Sequence, residues 1–227
     1  MTETHLSDRV IENAVVVGDD GGVPIEMVFT ELAPGREPTY TCLLIHGLFD
    51  SKVTWNRVLS GFDNRFRLIA PDLVGFGQSS KPSFATADEN ERYSPSMLAG
   101  YLRRFVENLG LGPVILVGSS LGGGLSLKLA LEPWSDGPAI RGLILLDAAG
   151  YPQPLPSYIQ LLAGRLGRLL TNPKVARLAR RLGIVRAIAQ STFEFVLYDR
   201  GRIPPEMVGS AESVLVDVVH FQLDGLR

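Results

Sequence analysis

Cysteine is nearly missing from these 227 residues: Cys42 stands alone, so no disulfide can close within the chain and a reducing compartment suits it. Cys42 lies in the apolar stretch Thr41 to Ile45 and reads as a small buried hydrophobe rather than as a second nucleophile. An excess of one charge is missing too. With 22 Lys and Arg against 24 Asp and Glu, the net charge of −2 argues against nucleic acid as a partner. No uninterrupted apolar run approaches the ~18 residues that cross a bilayer, and the stretch Met1 to Arg9 holds no apolar h-region. Neither membrane insertion nor export is expected, and the chain reads as cytoplasmic. Internal repeats and low-complexity tracts are also lacking, which sets aside repeat arrays.

What is present suits one globular domain, with room for an insertion. The chain is 45% hydrophobic, enough for a sizeable core. Ala14 to Val17 and Ile25 to Glu31 read as two strands around the glycine-rich turn Gly18 to Gly22, an ordinary hairpin at a sheet edge. Continuous apolar runs at 43 to 45, 68 to 70, 114 to 117 and 143 to 146 alternate with helical segments, the pattern of strands buried on both faces in a parallel sheet. The intervening helices are expected near Trp55 to Leu59, Ser94 to Leu109 and Leu121 to Leu131. Ser94 supplies an N-cap with Pro95 at the first helical position, and Gly110 ends that helix.

After Gly150 the texture changes. Tyr151 to Pro156 holds three prolines, and from Ser157 onward the pattern is helical, interrupted at Asn172-Pro173 and Pro204-Pro205. Arg165, Arg168, Lys174, Arg177, Arg180, Arg181 and Arg186 fall among leucines and isoleucines, with no acidic residue between Gln160 and Gln190. Such a basic amphipathic stretch can touch an anionic membrane or an acidic substrate, although a solvated helix face is its commoner meaning.

One segment carries chemistry. Val114 to Val117 is a short apolar strand running straight into Gly118-Ser119-Ser120-Leu121-Gly122, and a helix opens at once behind it. A strand-to-helix turn this sharp strains the backbone and leaves no room for neighbouring Cβ atoms, which is why glycines flank the serine. Ser120 is thereby the candidate nucleophile, with a plain tight turn as the alternative. Ser119, one residue before the apex, has no comparable claim. The amide of Leu121 opens the helix, where the dipole favours negative charge, and serves as one oxyanion donor. A serine hydroxyl also needs a general base, itself oriented by an acid. Beyond Ser120 the chain holds a single histidine, His220, inside the helical pattern Ser213 to Leu223. It stands as a candidate base or as a helix-face histidine with no catalytic task.

From Tyr40 to about Gly150 the chain resembles the α/β-hydrolase fold superfamily, in its cap-bearing branch with a serine nucleophile. The resemblance rests on Leu43 to Phe49 with its His46-Gly47-Leu48, Trp55, the run Phe66 to Ser79 with Asp72, Gly75 and Gly77, the turn around Ser120, and Gly142 to Gly150, in the family's order. It implies an α/β core with a mostly parallel sheet, residues 1–150, followed by a helical cap, residues 151–227. It places the second oxyanion amide at Leu48, with Phe49 next in line. It also implies that the His46 ring supports this loop rather than acting as base, and that Asp72, Gly75 and Gly77 shape the turn after the fourth strand. Asp147, at the end of the strand after the nucleophile strand, is a candidate acid or a turn-forming residue.

Family members resume the core after the cap with two more strand-helix units, which bring the acid and the histidine. Nothing between Tyr151 and Arg227 resembles either, so the chain is read as stopping about 60 residues short of a complete core. The expected function is hydrolysis of a small, fairly apolar ester, thioester or C–C bond substrate through an acyl-enzyme, with the triad incomplete in this chain and no cofactor or metal. Phe193, Phe195 and Tyr198 are candidate pocket walls. The alternatives are a non-catalytic hydrolase-like ligand-binding protein and an inactive truncated product.

Overall fold

Two runs rich in β-branched residues pair first. Strands β1 (Val10–Asp20) and β2 (Val23–Leu32) form an antiparallel hairpin. Its turn is Gly21-Gly22, both with left-handed φ (64° and 92°) that glycine adopts without strain. The strands are longer and the turn tighter than expected, because a register shift between Val16 and Gly18 carries Gly18 to Asp20 into β1. This computed structural model describes residues 10–33, 37–59, 61–82, 93–132, 139–150 and 173–188, together with residues 190 and 208.

The apolar runs become the rest of the sheet: β3 (Tyr40–Ile45), β4 (Phe66–Pro71), β5 (Val114–Ser119) and β6 (Ile140–Leu146). The six strands lie in the order β1-β2-β4-β3-β5-β6. Only the hairpin is antiparallel to its neighbour; β4, β3, β5 and β6 run parallel. Between β3 and β5 the direction of winding reverses. Open α/β sheets present a crevice at such a switch point, outside the carboxyl ends of the strands.

Helices cover the sheet. A 3-10 turn (Lys52–Trp55) runs into the short α1 (Asn56–Leu59); α2 (Pro95–Asn108) and α3 (Leu121–Leu131) follow. Ser94 caps α2 as expected, its hydroxyl accepting from the Met97 amide at 3.2 Å, and Gly110 ends it at φ 58°. On one side of the sheet Phe29, Leu43, Ile69 and Leu116 pack with Leu98, Leu102 and Phe105 of α2 and Leu121 and Leu125 of α3. On the other, Leu32, Leu44, Leu68 and Val117 pack with Trp55 and Leu59. Cys42 joins this second layer, and burial pushes its thiol up to about 11.

One apolar run departs from the expectation of burial on both faces. Leu143, Ile144, Leu145 and Leu146 of β6 are 38–50% exposed. The reason is position: among the described residues β6 pairs with β5 alone and forms the sheet's edge. Past Gly150 the described elements include helix α4 (Pro173–Arg181). The Pro204-Pro205 break and the expected helix around His220 lie outside the described residues.

Candidate active site

The sheet register assembles the site. Ile45 lies beside Gly118 and Gly118 beside Leu145, so two residues further on Gly47, Ser120 and Asp147 line up across the carboxyl ends of β3, β5 and β6. This row sits at the switch point. These residues come from separate stretches of sequence, and the parallel register brings them together.

Ser120 is the exposed apex of the turn from β5 into α3, at φ 50° and ψ −113°. A non-glycine residue is held there only when its surroundings over-determine it. Those surroundings are visible. The Ser120 amide donates to the Leu146 carbonyl at 2.9 Å, and its carbonyl accepts from Gly124 at 3.1 Å and Ala149 at 2.9 Å. The backbone is thus tied to α3 and to the turn after β6, while the side chain makes no capping hydrogen bond. The glycines are forced by crowding. A Cβ on Gly122 would fall inside contact distance of the Ile45 carbonyl, one on Gly118 would strike the Gly122 carbonyl, and one on Gly123 would strike Ala148. A Cβ at Gly47 would meet that of Ser120 at 3.4 Å, which shows how closely the β3 loop passes the apex.

Leu48 and Phe49 follow in that loop, both half-buried, with Phe49 at φ 59°. Leu121, buried, is the first residue of α3, so its amide has no partner within the helix. His46 is fully buried under the loop. Its Nδ1 donates to the Gly47 carbonyl at 2.8 Å and its Nε2 accepts from the Leu73 amide at 3.0 Å. With both ring nitrogens committed, His46 ties the loop after β3 to the turn after β4.

Asp72 ties the same two segments a second time. One carboxylate oxygen accepts the Lys52 amide at 2.7 Å, the other the Gln78 amide at 2.8 Å and Lys52 Nζ at 3.2 Å. Gly75 and Gly77 let the turn close on it: both have left-handed φ (93° and 50°), and a Cβ on Gly77 would strike the Asp72 carboxylate. Gly75 packs against the ring of Tyr93, whose burial raises its phenol well above its ordinary value.

Lys52 and Asp50 escaped the sequence reading. Lys52 is buried between Asp72, the Gln78 side chain and Glu12 Oε2 at 3.2 Å. Asp50, next to Phe49, has its pKa raised by burial, which outweighs the hydrogen bonds from Ser51 and Thr54 that pull it down. The signal available in sequence was the charged pair Asp50 and Lys52 in the short loop between Leu48 and Trp55. Asp147 is exposed at φ 45°, at the position that turns the chain out of β6. His220, Phe193, Phe195 and Tyr198 lie outside the described residues.

Residues 40–200 match the model of the alpha/beta hydrolase fold family. An uncharacterized protein of Mycobacterium tuberculosis is 41% identical over 109 residues, 48% of this chain and 29% of that protein. Lipase 1 of Psychrobacter immobilis is 31% identical over 150 residues, 66% of this chain and 42% of the lipase. The chain therefore spans less than half the length of these curated relatives. Among solved structures, an epoxide hydrolase superposes with a TM-score of 0.64 at 20% identity, covering 96% of this chain and 71% of that one, a likeness of fold.

Proposed function

Since the chain belongs to the α/β-hydrolase fold family, we propose that it is a serine hydrolase in which Ser120 attacks a small, fairly apolar ester, thioester or C–C bond substrate and forms an acyl-enzyme. The observation that carries this reading is the backbone of Ser120, an exposed serine held at φ 50° on the switch point with its hydroxyl unspent on capping. The amides of Leu48 and Leu121 meet the charge that develops on the carbonyl oxygen; losing one such donor costs about 3 kcal/mol of barrier. In this reading residues 1–150 are the core and residues 151–227 the cap over the pocket.

The acid and the base are the open part of the triad. His46 is spent on the loop, Asp147 stands beside Ser120 without a partner imidazole among the described residues, and His220 is the candidate base that follows Ser120 in the sequence. The commitment of His46 favours a second reading, a hydrolase-like protein that binds an apolar ligand without turning it over.

The test is acylation. With p-nitrophenyl acetate and a fluorophosphonate probe, the 227-residue chain is expected to react slowly, orders of magnitude below a complete triad, because an oxyanion hole alone leaves a residual ~10³-fold over water. The modified residue, located by mass spectrometry, is Ser120, and Ser120→Ala abolishes the reaction. Labelling that survives Ser120→Ala, or no labelling at all, leaves the ligand-binding reading in place. Rapid turnover lost in Ser120→Ala would assign a working base, with His220→Ala as the next variant.

A further inference from the structure

Helix α4 presents charge and apolar surface on the same exposed side. Lys174, Arg177, Arg180 and Arg181 lie on it and Arg186 follows, in a stretch with no Asp or Glu from Gln160 to Gln190. A merely solvated face turns its cations outward and its leucines inward. Here the apolar residues are outward as well: Leu178 is 57% exposed, and Leu182 and Ile184, just past the end of α4, are 65% and 46%, whereas Ala179 on the helix and Val185 beyond the Gly183 turn are buried. Spacing of four sets Leu178 and Leu182 one turn apart in a row, and Arg177 and Arg181 in the row beside it.

Each row asks something of a partner. Isolated exposed leucines are ordinary, but an apolar row left in water forgoes burial that a partner restores. Guanidinium groups one turn apart repel until anions come between them. A nucleic acid supplies the anions and no apolar layer; an apolar protein groove supplies the reverse. The surface that offers both, at a separation of a few ångströms, is an anionic lipid leaflet. We propose that this face of α4, with the turn that follows it at Leu182-Gly183 and Ile184 just beyond, docks peripherally on an anionic membrane, with Leu178, Leu182 and Ile184 at the acyl boundary and Arg177 and Arg181 at the level of the phosphates. No described helix is long and apolar enough to cross a membrane, so α4 lies on the surface. A helix of nine residues buries little apolar area, which makes the contact reversible and dependent on salt. Nothing in this inference needs Ser120 or a substrate.

Flotation of the 227-residue chain on a density gradient tests it, since vesicle-bound protein rises while self-associated protein does not. At ~0.1 M salt the chain is expected to float with vesicles containing about one-third phosphatidylserine at least tenfold more than with pure phosphatidylcholine, and to be released at ~0.5 M salt. The variants Leu178→Ser/Leu182→Ser and Arg177→Gln/Arg181→Gln each lower the floated fraction about tenfold with an unchanged circular-dichroism melt. Equal flotation with both vesicle types overturns the proposal, as does flotation unaffected by either variant. Absence of flotation with retention on heparin also overturns it and assigns the face to an acidic macromolecule.

Discussion

At the residue scale, Ser120 shows stability given up for geometry. A serine at φ 50° and ψ −113° carries strain of order 1–3 kcal/mol that glycine would not. Ser120→Gly is therefore expected to raise the melting temperature while abolishing acylation by the fluorophosphonate probe. A lower melting temperature would mean that the hydroxyl itself holds the turn. Asp50 supplies a case with a definite pH dependence. Burial raises its pKa in the folded chain, so the native state holds that proton more tightly than the unfolded state does. Its contribution is most favourable below the ordinary carboxylate pKa and declines as pH rises through the folded value. Asp50→Asn is thus expected to melt higher than the parent at pH 7, the gain shrinking toward zero as pH falls to about 4. Scanning calorimetry across that range checks it; a constant difference would remove the titration of Asp50 as the cause.

At the element scale, the loop after β3 is only as well placed as its two side-chain ties to the turn after β4. His46 supplies a neutral tie and Asp72 a charged one, and both sides of the Asp72–Lys52 pair are buried. Such a pair adds little over apolar packing, but breaking it strands a charge. Asp72→Ala leaves Lys52 with Glu12 at the exposed rim and is expected to cost about 3–5 kcal/mol. Urea unfolding measures it, and a loss under about 1 kcal/mol would show that Glu12 compensates. The same reasoning explains why the elbow is glycine-rich. Gly118, Gly122 and Gly123 are the points where β5, α3, β3 and the β6 turn approach backbone to backbone, so small residues there serve packing before chemistry.

For the whole molecule, the consequential feature is the edge of the sheet. β6 is paired on one side among the described residues and leaves Leu143 to Leu146 38–50% exposed. An apolar edge strand with free amides and carbonyls recruits other chains. The 227-residue chain is therefore expected to self-associate at micromolar concentration, as read by size-exclusion chromatography with light scattering. Arg or Lys substitution at Ile144, on the strand's exposed side, should reduce that association. A stable, cooperatively melting monomer would show that the edge is protected in the free chain.

Features under local control were legible in the residues alone. Apolar runs placed β3 to β6 within three residues at each end, Ser94-Pro95 and Gly110 bounded α2, and Gly118-Ser119-Ser120-Leu121-Gly122 marked the elbow, because strand burial, capping and steric crowding at a sharp turn each need particular residues at fixed spacing. Register and burial are relations between segments distant along the chain, so they were decided only in the tertiary structure. Parallel pairing set Gly47, Ser120 and Asp147 in one row; packing buried Lys52 against Asp72 and desolvated Asp50; and the sheet order left the most apolar-looking strand, β6, at the edge. A leucine reads the same in a core strand as in an edge strand. What differs is whether another strand lies beside it, and no local pattern records that.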